Sequence, residues 1–276
     1  VLQEMLPYFS TKYGNASSRD HAFGWDAEKG VELARKQVAT ILGATSEEII
    51  FTSGATGSNN LALIGLVEYG RKTDKTHVIT QATEHPAVID TVDYLKKNGF
   101  EITILPVDRY GLIKLEQLEE AICDKTLVVS IMVANNEIGT IFPVEQIGSI
   151  CKKHSVLFHT DASQAVARVK LDVKRMNIDM LSLSSHKMYG PKGVGALYVN
   201  SESAKKCLVP ISFGGGQESG LRSGTLNVPG IVGLGSAAQI AHDNLDSESK
   251  TIGQLRDRLS EIITSSLSGV IINGHP

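Results

Sequence analysis

Residues 181–193 read LSLSSHKMYGPKG, a short apolar run that ends in hydroxyls, a histidine and a lysine before Gly190 and Pro191. The apolar run predicts a buried β-strand, so Lys187 falls at the mouth of that strand. An unpaired ammonium is costly to bury, and one use for a lysine in such a place is as an amine that forms a Schiff base with a carbonyl compound. The alternative is an ordinary surface lysine after a strand, and this stretch taken alone favours that alternative.

Similar apolar runs occur along most of the chain and alternate with amphipathic helical patterns. Several runs are continuous rather than alternating, which is typical of strands in a parallel sheet that is covered on both faces. The sequence therefore predicts an α/β fold in which a mostly parallel sheet lies between two layers of helices. A first helix is expected from Asp26 to a stop at Gly43, and late helices over Val228–His242 and around Ile252–Ile262.

Polar clusters follow five of the predicted strands, namely Ser53–Ser58, Glu84–His85, Asn135–Glu137, Asp161–Gln164 and Ser184–Lys187. Ligands of parallel α/β folds bind outside the carboxyl ends of the strands. We therefore expect these five clusters to meet at one site.

The composition excludes several classes of function. A formal net charge of −3 gives no basic surface of the kind that nucleic-acid binders carry. Cys123, Cys151 and Cys207 are widely spaced and form no C-x-x-C pair, which argues against a disulfide framework or a metal site. No apolar run is long enough for a membrane span and no signal-peptide pattern opens the chain, so we expect a soluble intracellular protein that binds neither nucleic acid nor membrane.

Pyridoxal 5'-phosphate (PLP) makes demands that these clusters meet. Its aldehyde needs a lysine, for which Lys187 is the candidate, and its pyridine nitrogen needs an acid such as Asp161. The alternative for Asp161 is a turn-forming residue after a strand. Ala55 and Thr56 lie where a strand, a turn of small residues and a helix would present N–H groups to a phosphate, although a plain helix cap fits as well.

Further contacts to this cofactor are expected from the remaining clusters. Ser184 and His186 would add donors to the phosphate, and Thr225 is a further candidate for it. Gln164 would hydrogen-bond the phenolic oxygen of the cofactor. His85 would stack on its ring, although a lone histidine in such a place is more often a loop residue. Asn136 would orient the phenolic oxygen or a substrate carboxylate.

In its motifs the chain resembles the cysteine desulfurases, which are fold-type I PLP enzymes that supply sulfur for iron–sulfur cluster assembly. The motifs occur in the same order over nearly the whole chain: FTSGAT (51–56), NNEIG (135–139), DASQ (161–164), SHKMYGPKG (185–193) and RSGT (222–225).

The resemblance implies a role for each candidate residue. Lys187 would be the Schiff-base lysine, Asp161 the pyridinium partner and His85 the stacking histidine and proton carrier. Thr225 would reach the phosphate in a neighbouring subunit of a homodimer. The cofactor contacts that the resemblance implies are Ala55, Thr56, Asn136, Gln164, Ser184 and His186. The implied reaction converts L-cysteine to L-alanine and passes sulfur, as an enzyme persulfide, to scaffold or other acceptor proteins in the cytoplasm or the mitochondrial matrix.

The chain also departs from the family pattern. None of the three cysteines has the Ser/Gly-rich setting of the family's persulfide cysteine, which we expect beyond Pro276 together with the arginine for the substrate carboxylate. Gly57 replaces a usual acidic residue, Ser219 a usual arginine and Ala167 a usual glycine. The pattern thus predicts a piece truncated at both ends.

We expect residues 1–20 to pack with a small domain, residues 21–244 to form the PLP-binding large domain, and residues 245–276 to begin an incomplete small α/β domain. Two alternatives stay open at this point. One is a related PLP enzyme, such as a selenocysteine lyase or an aminotransferase, and the other is a non-catalytic, truncated PLP-binding scaffold.

Overall fold

A seven-stranded sheet lies at the centre of the computed structural model, which describes residues 1–276. The strands are β1 (Ile49–Thr52), β2 (His77–Gln81), β3 (Glu101–Leu105), β4 (Thr126–Ser130), β5 (Leu157–Asp161), β6 (Met180–Ser184) and β7 (Gly195–Val199). Their order across the sheet is β1-β7-β6-β5-β4-β2-β3. Only β7 runs against its neighbours β6 and β1, which leaves β1 pointing the same way as the other five strands. The predicted, mostly parallel sheet is confirmed.

Helices cover both faces of the sheet. They are α1 (Leu2–Met5), α2 (Ala22–Leu42), α3 (Ala55–Ile64), α4 (Val67–Lys72), α5 (Pro86–Lys97), α6 (Leu115–Ala121), α7 (Val144–Lys153) and α8 (Val228–Ser266). One apolar core joins α2, α6, α7 and α8 to the sheet, and a second core joins α3 and α5 to its other face. In β7, Ala196 and Tyr198 point into the first core while Leu197 and Val199 point into the second. The three-layer prediction is therefore confirmed.

Helix α2 shows how local sequence sets the bounds of an element. It begins one turn before the predicted Asp26, because the His21 side chain caps it by accepting the Gly24 N–H at 3.2 Å. It ends, as predicted, at Gly43, whose φ of 67° closes the helix in a left-handed conformation.

Two stretches between and after the main elements lack helix and strand. The residues that follow Val199 form turns, with a short 3₁₀ turn over Lys205–Cys207. The apolar residues 270–272 form no strand, because no other strand pairs with them.

The two late helices of the prediction form the single helix α8 of 39 residues. The residues around Asn244 are polar but include neither glycine nor proline, so nothing in the backbone interrupts the helix. The predicted domain division at residue 244 falls within this helix and stays a prediction. None of the helices, α8 included, has the length and apolar character that crossing a membrane requires.

A buried ion pair ties the glycine-rich segment after residue 213 to the sheet. Arg35 of α2 donates two hydrogen bonds of 2.8 Å to the Glu218 carboxylate and a third of 2.7 Å to the Ile49 carbonyl. Glu218 also accepts the Phe51 N–H of β1 at 2.7 Å. Removing one partner of such a buried pair typically costs about 3–5 kcal/mol, so this pair is a strong anchor for the segment.

Ala167, which stands in place of a usual glycine, has a φ of 71°. A left-handed backbone brings Cβ too close to a carbonyl oxygen and costs an alanine about 1–2 kcal/mol, which a glycine avoids. The structure therefore gives the physical reason for glycine at this position.

We expect Ala167→Gly to stabilise the fold by up to about 1 kcal/mol, since relief of backbone strain exceeds the added flexibility of the unfolded chain. Urea unfolding measures the change. The control is Ala165→Gly, at a buried neighbouring position without positive φ, which should destabilise by about 1 kcal/mol. Equal losses in the two variants would contradict the assigned strain.

Candidate functional site

A cleft of about 680 Å³ opens at the carboxyl edge of the sheet, between the loops that follow β1, β2, β4, β5 and β6. Nine of the ten predicted site residues line it: Ala55, Thr56, His85, Asn136, Asp161, Gln164, Ser184, His186 and Lys187. Thr225 does not. It is exposed on the glycine-rich segment outside the cleft. The structure thus brings the five predicted clusters together within one chain.

One wall of the cleft is the N-terminus of α3. Gly54 precedes this helix with a φ of 138° and offers no side-chain cap, so the N–H groups of Ala55, Thr56 and Gly57 have no partner within the helix. A Cβ on Gly195 of β7 would lie 2.7 Å from the Gly54 Cα, which shows how closely the two backbones approach. The unpaired amides and the positive end of the helix dipole form a cradle for an anion.

The floor of the cleft holds the Asp161 carboxylate at the end of β5, where it is almost fully buried. One of its oxygens accepts the Asn59 amide N–H at 2.7 Å and the other accepts the Ser163 backbone N–H at 2.9 Å. Both contacts fix the orientation of the carboxylate. The sequence analysis did not include Asn59, because its burial on the inner side of α3 shows only once the helix packs on the sheet.

Beneath Asp161 on the same strand, His159 is fully buried. Its Nδ1 is 2.8 Å from the Ser130 hydroxyl and its Nε2 is 3.0 Å from the Ser182 hydroxyl. Burial lowers the pKa of His159 to about 4, although the nearby Asp161 charge acts in the opposite direction. The imidazole is therefore neutral at neutral pH and gives the Asp161 carboxylate no cationic partner from below.

Lys187 lies on a 3₁₀ turn over Ser185–Met188 and not at the mouth of the strand, since β6 ends at Ser184. Its side chain is exposed to the cleft and forms neither a hydrogen bond nor an ion pair. The amine is therefore accessible from the cleft and has no partner within the chain.

His186, next to this lysine, is held by the Ser184 hydroxyl, which lies 2.8 Å from its Nδ1. Burial lowers the pKa of His186, and the positive charges of Lys187 and Lys192 lower it further. A neutral imidazole at this position acts as a hydrogen-bond donor or acceptor rather than as a fixed charge. Lys192, which the sequence analysis did not include, also lines the cleft.

His85 and Asn136 project from the loops after β2 and β4. The His85 Nδ1 accepts the Ala87 N–H at 3.0 Å and so caps α5, which leaves the ring proton on Nε2. Asn135 is structural, since its side-chain oxygen accepts two backbone N–H groups of the following turn. The exposed Asn136 is the one that lines the cleft.

No cysteine lines the cleft. Cys123 lies beside His77 and Thr126, at the amino-terminal ends of β2 and β4. Cys151 is buried on α7, where burial raises the pKa of its thiol to about 12, and burial also raises the pKa of Cys207. The structure therefore places every thiol of the chain away from Lys187.

His159 should stay neutral down to about pH 4, far below the ordinary histidine value of about 6.5. Because the folded state binds this proton more weakly than the unfolded chain, stability is lost as the pH falls from 6.5 towards 4. NMR titration of the imidazole C–H resonances measures the midpoint, and the resonance missing from His159→Gln identifies the residue. A midpoint near 6.5 would contradict the buried, serine-bonded geometry.

Comparison with known proteins agrees with this geometry. Residues 1–275 match the class-V aminotransferase family. The mitosomal cysteine desulfurase of Trachipleistophora hominis is 52% identical over 275 residues, which is 99% of this chain and 62% of that protein. The chain spans about three fifths to two thirds of the length of such curated relatives.

Two solved structures extend the likeness to three dimensions. A NifS-like protein, 43% identical, superposes with a TM-score of 0.90 over 94% of this chain and 70% of its own. SspA, solved in complex with cysteine, is 46% identical and superposes with a TM-score of 0.82 over 86% of this chain and 68% of its own. With nearly its whole length matched in sequence and structure, the chain belongs to the class-V aminotransferase family.

Proposed function

We propose that the cleft holds PLP on Lys187 and that the whole protein is a cysteine desulfurase. One observation carries the proposal: an exposed, unpaired amine, an oriented buried carboxylate and a helix N-terminus with unpaired amides line the same cleft. Members of the class-V family depend on PLP, and the donor set of this cleft fits that cofactor. When bound, PLP supplies an electron sink that stabilises negative charge next to the amine of an amino acid.

The phosphate would be held by the unpaired amides at the start of α3. Three N–H groups and the helix dipole point to this place, and Thr56 adds a hydroxyl. Ser184 and His186 form a second side, where their mutual hydrogen bond keeps the imidazole oriented. Thr225 would contribute from a second copy of the chain, because it is exposed and lies outside its own cleft. A homodimer is therefore part of the proposal.

Asp161 would face the pyridine nitrogen and keep it protonated. Its orientation is fixed by Asn59 and by the Ser163 N–H, and a carboxylate has further lone pairs for a third donor. Gln164 and Asn136 would face the phenolic oxygen or the substrate carboxylate, since both line the cleft and neither donates its side-chain N–H groups within the protein.

Two groups would move protons. The Lys187 Nζ is a base once its amine is released, and the His85 Nε2 carries the other mobile proton because Nδ1 is already used to cap α5. His85 would also stack on the cofactor ring.

The proposed substrate is L-cysteine, which would be converted to L-alanine while its sulfur leaves as an enzyme persulfide for acceptor proteins such as iron–sulfur scaffolds. The names of the curated relatives and the cysteine complex of SspA support this substrate. They favour it over the substrates of the two alternative PLP enzymes, a selenocysteine lyase and an aminotransferase. Relatives named mitosomal and mitochondrial support a location in such an organelle if the protein is eukaryotic. Bacterial relatives also match, and for a bacterial protein we propose the cytoplasm. Within the whole protein, residues 21–244 would be the cofactor domain and residues 245–276 the start of a smaller one.

Lys187→Ala should abolish covalent capture of PLP. Reduction of the PLP-treated chain with borohydride fixes the cofactor as a secondary amine, and peptide mass spectrometry finds its position. The control is Lys192→Ala, which removes a second exposed lysine of the same cleft and should leave the label on Lys187. Labelling of Lys192 in the wild-type chain would assign the reactive amine differently.

The 276-residue chain, supplied with PLP, L-cysteine and a reductant, should release almost no sulfide, because none of its thiols lies at the cleft. Methylene-blue detection of sulfide measures this, with free PLP as the blank. Release above the blank that disappears in Cys123→Ser would show that the exposed thiol reaches the site after all.

A further inference from the structure

A carboxyl group without an assigned role lies behind the cleft. Glu84 follows β2 and is buried. Its Oε1 accepts the Met132 backbone N–H at 2.6 Å and the Gln81 side-chain N–H at 2.9 Å. Its Oε2 is buried and has no partner. Glu84 therefore joins the loop that carries His85 to the loop that leads to Asn136, and it does so through one oxygen only.

We propose that Glu84 is a positioning residue that works as a neutral carboxylic acid: it ties these two loops together and leaves Asp161 the sole negative charge of the site. Two observations carry this inference. Two N–H donors meet at Oε1, so the proton belongs on Oε2, which is the unpartnered oxygen. Asp161 is also the only carboxylate among the residues that line the cleft.

The surroundings of Glu84 disfavour its ionised form. Burial and, to a smaller extent, the charge of Asp161 raise the pKa of this carboxyl to about 8, although its two hydrogen bonds act in the opposite direction. The other titratable groups on the surrounding elements are His85 next in the chain, His159 on β5, and Lys187 after β6. His159 is neutral because it is buried, so it does not offset the effect of the Asp161 charge on Glu84.

A neutral Glu84 matters for the proposed cofactor. A second negative charge beside Asp161 would repel the first and perturb the one ion pair that the pyridine nitrogen would form. The acid form of Glu84 keeps the hydrogen bonds that join the two loops without adding that charge. Above about pH 8 Glu84 would lose its proton and become negative, which sets an alkaline limit to the working range of the site.

The test compares the urea unfolding of the 276-residue chain with that of Glu84→Gln, a neutral variant of the same shape. The folded wild type holds its proton more tightly than the unfolded chain, so its stability falls as the pH rises from 4.5 to about 8 and then levels off. Between pH 4.5 and about 8, the ratio of folded to unfolded protein should fall in the wild type relative to Glu84→Gln, by up to about tenfold for each pH unit. A difference that does not change with pH would overturn the proposal.

A second measurement follows PLP binding at neutral pH by equilibrium dialysis. Glu84→Gln should bind PLP within about twofold of the wild type, whereas Glu84→Ala, which loses the loop tie, should bind about tenfold more weakly. If Glu84→Ala does not fold, Gln81→Met removes one of the two hydrogen bonds in its place. Equal losses in Glu84→Gln and Glu84→Ala would show that the site needs the charged form and would overturn the proposal.

This second measurement rests on the proposed function, while the unfolding measurement needs no cofactor. Failure of the wild-type chain to bind PLP would therefore remove the proposed function and leave the role of Glu84 to be decided by the pH dependence of unfolding.

Discussion

The common direction of six strands is the constraint on which the site depends. A parallel strand can be reached only by a crossover, here mostly through helices, and each crossover returns the chain to the same edge of the sheet. The polar residues that follow β1, β2, β4, β5 and β6 therefore converge although β1 ends at Thr52 and β6 only at Ser184. The exception, β7, makes this possible for β1, because an antiparallel strand between β6 and β1 leaves both pointing the same way. No single loop contains the site.

The electrostatics of the site come from burial as much as from charge. Two N–H groups hold the buried Asp161 carboxylate in place, and the buried His159 below it is neutral. His186 is kept from protonation by burial and by two lysines. The amides of α3 supply positive potential without a proton that titrates. The cleft thus has an anion-binding end at the start of α3 and an acidic floor at Asp161, and the Lys187 amine lines the same cleft.

Sequence patterns predicted most of the sheet, and nine of the ten residues predicted for the site line the cleft, since continuous apolar runs mark buried strands and polar residues mark their ends. The layer behind them was not predicted. Asn59, Glu84 and His159 are polar residues inside or beside regular elements, and only the packing of distant segments shows that they are buried and what they contact. The end of β6 at Ser184 also depends on its pairing with β7, which the residues of β6 alone do not show. The continuous α8 was missed because polar residues were taken for a break that the backbone does not require.

The ion pair between Arg35 and Glu218 joins residues 183 positions apart. Forming a contact between such distant residues closes a very long loop. It forms late because the chain loses the conformational entropy of that loop before the contact stabilises the fold. Glu218 binds the Phe51 N–H at the edge strand β1, which pairs only with β7. We therefore expect β1 to be fixed late in folding. During synthesis its contact with Glu218 can form only after residue 218 has left the ribosome.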